Sequence, residues 1–328
     1  MICHVVHYSK DASQTNSGDW GVLIDNQVFP IEGSFASTAE FIAQGREQAY
    51  AVLQQAQNKA LNNSLPLSEL TLLSPVTTPC RVLCQGANYR QHMIESGMNP
   101  DDKAFNMFFN KSSASVCAGS SDITRPKHVQ LLDYEVELGL VIGKDTNTEL
   151  KITDDNIHDV VAGIVIGNDV SARDIQVPQM QFFKGKSYRS FCPTGPVLCL
   201  LEKEDMHYLH GLQLELRVNG QVRQQDSTAN LVFKPAESLS EFTQVSDLSV
   251  GDLVLTGTPH GCAMQIPPAF LVKILSLLPE SKKWNLFVKG QKRNGRYLQP
   301  GDKLTTSIRS QDGKVNLGTQ ENLIKQGA

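Results

Sequence analysis

The pattern of apolar and polar residues predicts a strand-rich chain from about residue 81 onward. Short runs of Val, Leu and Ile are separated there by Gly, Pro and Asp, which is typical of β-strands joined by turns. These runs are RVLCQG, VELGLVIG, VVAGIVIG, GPVLCLL, LQLELRVNG, DLVLTG and KLTTSI. Because no regular series of long amphipathic helices lies between them, the pattern argues against a doubly wound sheet and against a TIM barrel.

The first 75 residues have a different pattern, and we expect them to form a small N-terminal α+β domain. Residues 2–8 and 20–31 are predicted strands, and the second group turns at Asp25-Asn26. Ser37 and Glu40 are spaced as in a capping box, and apolar residues follow them at helical spacing. A turn-rich linker then leads to a second domain at 76–328, where we expect the function to reside.

Composition and charge exclude several classes of protein. The 328 residues carry a formal net charge of -4 and are 40% hydrophobic, as in ordinary soluble globular proteins. The basic residues are scattered, so we expect no nucleic acid and no membrane surface as a partner. The seven cysteines include no CxxC pair, which indicates reduced thiols. Without a predicted secretory signal or membrane span, we expect a cytoplasmic location.

Carboxylates alternate along one of the predicted strands. In the segment LDYEVELGLVIG, Asp133, Glu135 and Glu137 share one face, and apolar side chains share the other. The next apolar run, VVAGIVIG, leads into Asp169 at a strand end. Such an all-oxygen set suits a hard cation such as Mg²⁺, with Mn²⁺ also suitable, and disfavours Zn²⁺. An edge strand with solvated charges fits the spacing equally well.

Other segments also offer candidate chemistry. His92 and Glu95 lie three residues apart on a predicted helical turn, where the carboxylate can orient the imidazole. Lys186 precedes a loop and could stabilise an oxyanion. Thr258 lies in the turn of LTGTPHG, as in loops that hold substrates. Taken singly, a surface ion pair, a solvated lysine and an ordinary turn explain the same residues.

Taken together and in this order, the segments resemble the fumarylacetoacetate hydrolase family. The matching pieces are NYRQH, DYEVELGLVIG, GNDVSARDIQ, KSYRSFCPTGP, LTGTPHG and PGDKL. The resemblance covers about residues 80–320, and YExEL followed about thirty residues later by NDxSARD is its most specific part. It implies an α+β, mostly β fold, a mixed β-roll, which agrees with the strand-rich pattern.

The resemblance also implies roles for individual residues. The implied metal ligands are Glu135, Glu137 and Asp169. The implied catalytic residues are His92 as general base, Glu95 as its acid partner, and Lys186. The implied substrate-binding residues are Tyr89, Lys111, Arg173, Gln176 and Thr258. The implied cofactor is Mg²⁺, with Mn²⁺ or Ca²⁺ as alternatives, the implied ligand is a small 2-oxo acid, and the implied assembly is a homodimer.

The chain departs from the family pattern in two places. After the catalytic lysine the family is close to KSFDTFCP, whereas this chain has Tyr188 and Arg189, which leaves the charge preference for the substrate open. Residues 262–299 form an insert where the family has a short connection. Its apolar segment 268–278 predicts a helix that lies over the site or at an oligomer interface.

The function implied is metal-dependent hydrolysis of a carbon–carbon bond in an acylpyruvate-like 2,4-dioxo acid of the fumarylpyruvate or fumarylacetoacetate type, in the catabolism of aromatic compounds. His92 would activate water, and Lys186 would stabilise the tetrahedral oxygen. Tautomerisation or isomerisation of a 2-hydroxy-dienoate, and decarboxylation of a 2-oxo diacid, pass through a similar enolate and remain open as alternatives. A further alternative is a protein that binds metal and oxo acids without catalysis.

Overall fold

The structure, a computed structural model, describes residues 1–11, 13, 17–61, 63–103, 105–266 and 277–327. Its strands are β1 (Cys3–Ser9), β2 (Asp19–Ile24), β3 (Gln27–Pro30), β4 (Leu65–Pro66), β5 (Thr71–Leu72), β6 (Val82–Gly86), β7 (Met107–Lys111), β8 (Val116–Ala118), β9 (Ile123–Arg125), β10 (Leu132–Asp133), β11 (Val136–Ile142), β12 (Val161–Asn168), β13 (Ser171–Ala172), β14 (Cys192–Thr194), β15 (Val197–Leu200), β16 (Gln213–Val218), β17 (Gln221–Ser227), β18 (Leu253–Leu255), β19 (Lys303–Arg309) and β20 (Asn316–Gln326). The predicted α+β, mostly β class is confirmed.

The described helices are short and lie between the strands. They are α1 (Thr38–Glu40), α2 (Arg46–Gln57), α3 (Arg90–Glu95), α4 (Arg173–Gln179), α5 (Phe182–Lys186), α6 (Pro235–Val245) and α7 (Glu280–Lys292), and a π-helical turn, Phe41–Gly45, joins α1 to α2. None of the helices in the described ranges has the length and apolar character that a membrane crossing requires.

Two large sheets form the framework. The first has 13 strands, and its main path is β4-β3-β2-β1-β15-β12-β11-β18-β6-β7. The second has five strands in the order β17-β16-β19-β20-β9. A two-stranded ribbon of β10 and β13 completes the described strands. Each of the seven apolar runs predicted as strands contains one of these strands.

The N-terminal strands extend the first sheet. β1 pairs antiparallel with β15, so that Cys3 lies opposite Leu200. Asp25 and Asn26 have φ angles of 47° and 64°, as a tight hairpin turn requires, and the predicted turn is confirmed. The predicted helix start is also confirmed, because the Glu40 N–H donates to the Ser37 hydroxyl at 3.1 Å. A domain boundary near residue 75 stays a prediction, since the sheet runs through both parts.

The two apolar runs that carry the candidate acids form the centre of the first sheet. Every residue of β11 and of β12 is buried, and β11 lies between β12 and β18. The alternative of an edge strand with solvated charges is therefore wrong. Acids on such a strand are desolvated, so they require compensating cations.

The strand predicted through the acidic segment is interrupted between Asp133 and Val136. At the break, the Glu135 N–H donates to the Asn168 side-chain oxygen at 3.0 Å. The Glu135 carbonyl accepts the Asp169 N–H at 2.9 Å. These two bonds bring Glu135 next to Asp169, at the end of β12.

The insert at residues 262–299 contains α7 in its described part. The helix predicted at 268–278 lies outside the described residues, apart from its last two positions. The Gln291 side chain accepts the Gln265 N–H at 3.1 Å and donates to the Gln265 carbonyl at 2.6 Å. Helix α7 is therefore tied to the beginning of the insert.

Candidate active site

Three carboxylates meet at the break in the acidic segment. Glu135 lies in the break, Glu137 lies at the start of β11, and Asp169 directly follows β12. Glu135, Glu137 and Asp169 each offer an oxygen, and these oxygens lie within 4.8 Å of one another. All three residues are buried. The donor set is all oxygen and anionic, which is the ligand chemistry that Mg²⁺, Mn²⁺ and Ca²⁺ prefer.

The carboxylate of Glu137 is the least compensated of the three. Burial raises its pKa well above the usual value, and the charges of Asp169 and Glu135 add to this effect. Its hydrogen-bond donor among the described residues is the Gly257 N–H, at 2.7 Å. For Glu135 burial acts in the same direction, but Arg173 and Lys186 outweigh it and lower the pKa to about 2.

Three cations neutralise part of this buried charge. Lys186 Nζ contacts Glu135 Oε2 at 2.5 Å and Asp169 Oδ2 at 2.6 Å. Lys111 Nζ contacts Asp169 and donates to the Phe191 carbonyl at 2.8 Å. Burial would lower the pKa of Lys186, but the charges of Asp169 and Glu135 outweigh it and raise that pKa. The alternative of an ordinary solvated lysine is therefore wrong for Lys186.

Arg173 is the third cation, and it faces the carboxylates. Its guanidinium donates to Asp133 Oδ2 at 2.8 Å, to Gln176 Oε1 at 2.8 Å and to Glu135. With Asp133 included, four carboxylates face three cations among the described residues of the cluster, and Glu137 is the acid that no cation contacts. This net negative charge fits a divalent cation.

Asp133 has a structural role that its spacing did not reveal. Besides Arg173, its carboxylate accepts the N–H groups of Ala263 at 2.7 Å and Met264 at 3.2 Å. The beginning of the insert is therefore held on the same carboxylate that orients Arg173. The sequence feature that could have indicated this role is the place of Asp133 on the same face of the predicted strand as Glu135 and Glu137.

The hydroxyl of Thr258 is engaged by the protein. It donates to the Val136 carbonyl at 3.0 Å and accepts from Gln224 Nε2 at 2.9 Å. Gln224 also accepts the Val136 N–H at 2.9 Å, although its neighbours in β17 gave no sequence signal for a buried polar residue. Thr258 thus supports the backbone beside the carboxylates.

A cavity of about 570 Å³ opens beside the cluster. Cys262 lines it, and Cys262 Sγ lies 3.9 Å from Glu135 Oε1. His92 lines it too, and its imidazole makes no hydrogen bond with any described residue. Burial lowers the pKa of His92 below the ordinary 6.5, against the opposing charge of Glu135. Burial therefore favours the uncharged form of the imidazole.

The predicted contact between His92 and Glu95 is absent from the described part of the chain. Glu95 is exposed and accepts from Gln91 Nε2 at 3.5 Å. Spacing of three residues places two side chains on one helix face but does not fix their rotamers. Both residues line the cavity, and the role of Glu95 as acid partner stays a prediction.

Tyr89 and the two departures from the family motif, Tyr188 and Arg189, differ in their burial and hydrogen bonding. The Tyr89 hydroxyl is buried without a hydrogen-bond partner among the described residues, and burial raises its pKa well above the usual value. The Tyr188 hydroxyl bonds to His128 at 2.9 Å, and Arg189 is exposed. Neither Tyr188 nor Arg189 contacts the carboxylates within the described residues, so the structure gives them no role at the cluster.

Glycine is required at position 257 both by the backbone conformation and by the lack of space for a side chain. Its φ is +92°, and an added Cβ would lie 2.8 Å from the Asn88 Cβ. We expect Gly257→Ala to lower the free energy of unfolding by about 3 kcal/mol, from left-handed strain plus overpacking. Gly220→Ala is the matched control, because Gly220 has φ +80° and no atom within 4 Å of the added Cβ. Urea unfolding measures both, and equal losses would contradict the steric part.

The chain belongs to the fumarylacetoacetate hydrolase family. Residues 81–325, well over half of the chain, match the family described as fumarylacetoacetate (FAA) hydrolase C-terminal. The chain is also 38% identical over 261 residues to the mitochondrial oxaloacetate tautomerase FAHD2A of Bos taurus, covering 78% of this chain and 80% of that protein. The resemblance found in the sequence is therefore confirmed.

Solved structures share the fold over nearly the whole chain. A probable 2-hydroxyhepta-2,4-diene-1,7-dioate isomerase from Mycobacterium abscessus aligns with a TM-score of 0.71 and 28% identity, covering 100% of both chains. Maleylpyruvate hydrolase from Sphingobium sp. SYK-6, in complex with manganese(II) and pyruvate, aligns with a TM-score of 0.71, covering 99% of this chain and 100% of that one. At 19% identity the second likeness shows the fold alone.

The relatives carry tautomerase and isomerase names and the family model carries a hydrolase name, so the family is enzymatic but diverse in its reactions. Hydrolysis of a carbon–carbon bond is one reaction among several. The predicted homodimer, the cytoplasmic location, the role in aromatic catabolism and the choice of Mg²⁺ stay predictions.

Proposed function

We propose that the chain is a divalent-metal-dependent tautomerase that interconverts the keto and enol forms of a 2-oxo acid of the oxaloacetate class. The observation that carries this proposal is the buried carboxylate cluster together with the imidazole of His92, which makes no hydrogen bond with a described residue and lines the cavity beside Cys262, the neighbour of Glu135. The activity named for the Bos taurus relative supports it. Tautomerisation is one of the alternatives that the sequence leaves open.

Glu135, Glu137 and Asp169 would hold the metal ion, and the all-oxygen set favours Mg²⁺ or Mn²⁺. When bound, such an ion polarises the 2-oxo carbonyl and makes the neighbouring C3–H more acidic. Lys186 and Lys111 hold Glu135 and Asp169 in position, because their ammonium groups contact these carboxylates directly.

His92 would move the proton. The C3–H bond breaks as the imidazole takes the proton, the C2–C3 double bond forms, and the same proton is delivered to the C2 oxygen. No atom is gained or lost, so the keto acid becomes its enol, and the reverse path restores it. A neutral imidazole near its working pH is suited to accept and return a proton in this way.

Hydrolysis would also need a donor for the tetrahedral oxyanion. Lys186 is the residue that the family resemblance offers for this role, but its ammonium is held by Glu135 and Asp169 inside the cluster. The imidazole of His92 also makes no hydrogen bond to Glu95, the residue predicted to orient it, among the described residues. The observed groups therefore serve proton transfer better than water attack.

The proposal is tested by following the decay of enol oxaloacetate by its ultraviolet absorbance, with Mg²⁺ or Mn²⁺ present and against the uncatalysed rate. We expect faster decay of the enol, with NMR showing the four-carbon skeleton intact. Fumarylpyruvate, assayed in parallel, tests the hydrolase alternative. Cleavage of fumarylpyruvate without any acceleration of enol decay would contradict the proposal.

The pH dependence reports on His92. Because burial lowers its pKa below 6.5, the active uncharged form persists to lower pH, and the acidic limb of kcat/KM has its midpoint below 6.5. The charged groups that act on it are Glu135, Glu95 and Asp133, which oppose the shift, and Arg173, which adds to it. His92→Ala should slow the reaction by about 10² to 10⁴ and remove this limb. A midpoint above 6.5, or a limb that survives in His92→Ala, would exclude His92 as the base.

A further inference from the structure

We infer that Arg223 and Arg296 bind the second carboxylate of the substrate, the one remote from the 2-oxo acid group, and so make the site selective for 2-oxo dicarboxylates. This inference rests on the proposed function and names the residues that select its substrate. Neither arginine belongs to the motifs through which the chain resembles its family.

The two arginines line the cavity that opens beside Cys262, the neighbour of Glu135. Arg223 lies in β17, and Arg296 lies in the insert, four residues after the end of α7. The same cavity is lined by His92 and by Cys262, whose Sγ lies near Glu135. The cavity therefore places both guanidinium groups on the same lining as His92, and its Cys262 side leads toward Glu135.

Both guanidinium groups have unused hydrogen-bonding capacity. The side chain of Arg223 makes no hydrogen bond or ion pair with any described residue, and its Nε is buried. The Nε of Arg296 is also buried without a partner in the described chain, while its Nη2 donates to the Gly261 carbonyl at 2.8 Å. Because both arginines line the cavity, a ligand there can supply acceptors to the remaining N–H groups of the guanidinium ends.

The chemistry of that partner follows from the donors. A guanidinium presents parallel N–H groups that match a carboxylate, and it is always charged. Two acids at this cavity have other partners: Glu95, which lines it, accepts from Gln91, and Asp226 lies 3.5 Å from Nδ1 of the lining residue His260. Within the described residues neither acid is paired with Arg223 or Arg296.

Charge also fixes the direction in which a diacid enters. The 2-oxo acid end belongs at the metal cluster, since its oxygens are metal ligands. The remote carboxylate would be repelled by Glu137 and its neighbours and attracted by the two guanidinium groups. A monoacid such as pyruvate gains nothing from Arg223 or Arg296, and this difference produces the selectivity.

Arg223→Gln is the sharpest test, because this side chain has no hydrogen bond or ion pair with a described residue to lose. In the full chain loaded with Mn²⁺, we expect KM for oxaloacetate to rise roughly tenfold or more, with little change in kcat. For pyruvate, the KM of C3 deuterium exchange, followed by NMR, should be unchanged in Arg223→Gln. Arg223→Lys should recover part of the lost affinity for oxaloacetate.

Arg296→Gln should act in the same direction, and its melting temperature is recorded because the bond to Gly261 is lost. Arg189→Gln, an exposed arginine of the family motif, is the matched control and should change neither constant.

A binding measurement separates this inference from the proposed function. Malate and lactate differ by the remote carboxylate and have no 2-oxo group to tautomerise, so calorimetric titration of the Mn²⁺-loaded protein compares them directly. We expect the native chain to prefer malate and Arg223→Gln to lose this preference. If enol decay is not accelerated but the preference depends on Arg223, the proposed function fails and the carboxylate site stands. If enol decay is accelerated but Arg223→Gln and Arg296→Gln leave the malate to lactate ratio unchanged, the inference is overturned.

Discussion

Glu137→Gln is expected to abolish divalent-metal binding while the metal-free protein stays at least as stable as the native chain. Glu137 is a buried carboxylate without a cation, repelled by Asp169 and Glu135. An amide of the same shape removes that repulsion and the desolvation of a charge, but it is a much poorer metal ligand. Turnover should fall by about 10³ or more, since the metal supplies several kcal/mol of transition-state stabilisation.

Calorimetric titration with Mn²⁺ measures the loss of binding, and thermal unfolding with and without Mn²⁺ measures its consequence for stability. The native protein should be stabilised by about 2.7 kcal/mol at a metal concentration of about 100 times Kd, and the variant should show no such gain. Glu47→Gln, at an exposed position of α2, is the control and should behave as the native chain. Unchanged Mn²⁺ affinity in Glu137→Gln would remove Glu137 from the metal site.

Arg173→Met is expected to produce the largest loss of stability, about 3–5 kcal/mol in the free energy of unfolding. Its guanidinium is buried and bonds to Asp133, Glu135 and Gln176. Removing it leaves the buried Asp133 without a cation and Glu135 with Lys186 as its remaining cation, and methionine donates to neither carboxylate.

Urea unfolding without metal, at one fixed pH, measures this loss. Arg90→Met is the matched control, because Arg90 also forms a two-bond pair, with Asp101 at 2.6 and 3.0 Å, but both side chains are exposed. Exposed pairs of this kind contribute little, so no measurable loss is expected. If the two variants lost the same stability, the buried cluster would not be what Arg173 stabilises.

The strands and the meeting of the acids could be predicted from the sequence because both depend on local patterns. Alternation with a period of two placed Glu135 and Glu137 on one face, and the family motif supplied Asp169. The convergence of all three oxygens within 4.8 Å agrees with that pattern. Burial of β11 could not be decided from spacing, since exposed strands alternate in the same way.

Other features depend on tertiary distances that leave no local signal. Lys186 was expected to face substrate, but its contacts are with Glu135 and Asp169, because α5 brings its end against the cluster. The pairing of β1 with β15 joins residues nearly two hundred positions apart, so the N-terminal segment resembled a separate unit. Arg223 lies in a polar strand where nothing distinguishes a cavity-lining arginine from a solvated one.

The shared carboxylate of Asp133 couples two parts of the molecule that could otherwise evolve or be engineered separately. It holds Arg173 of the carboxylate cluster and also the N–H groups of Ala263 and Met264 near the start of the insert. Grafting the shorter connection of a relative in place of 262–299 would remove these donors together with Arg296. Replacing the insert would then change the substrate range and the metal affinity together. The insert therefore cannot be redesigned without affecting the carboxylate cluster.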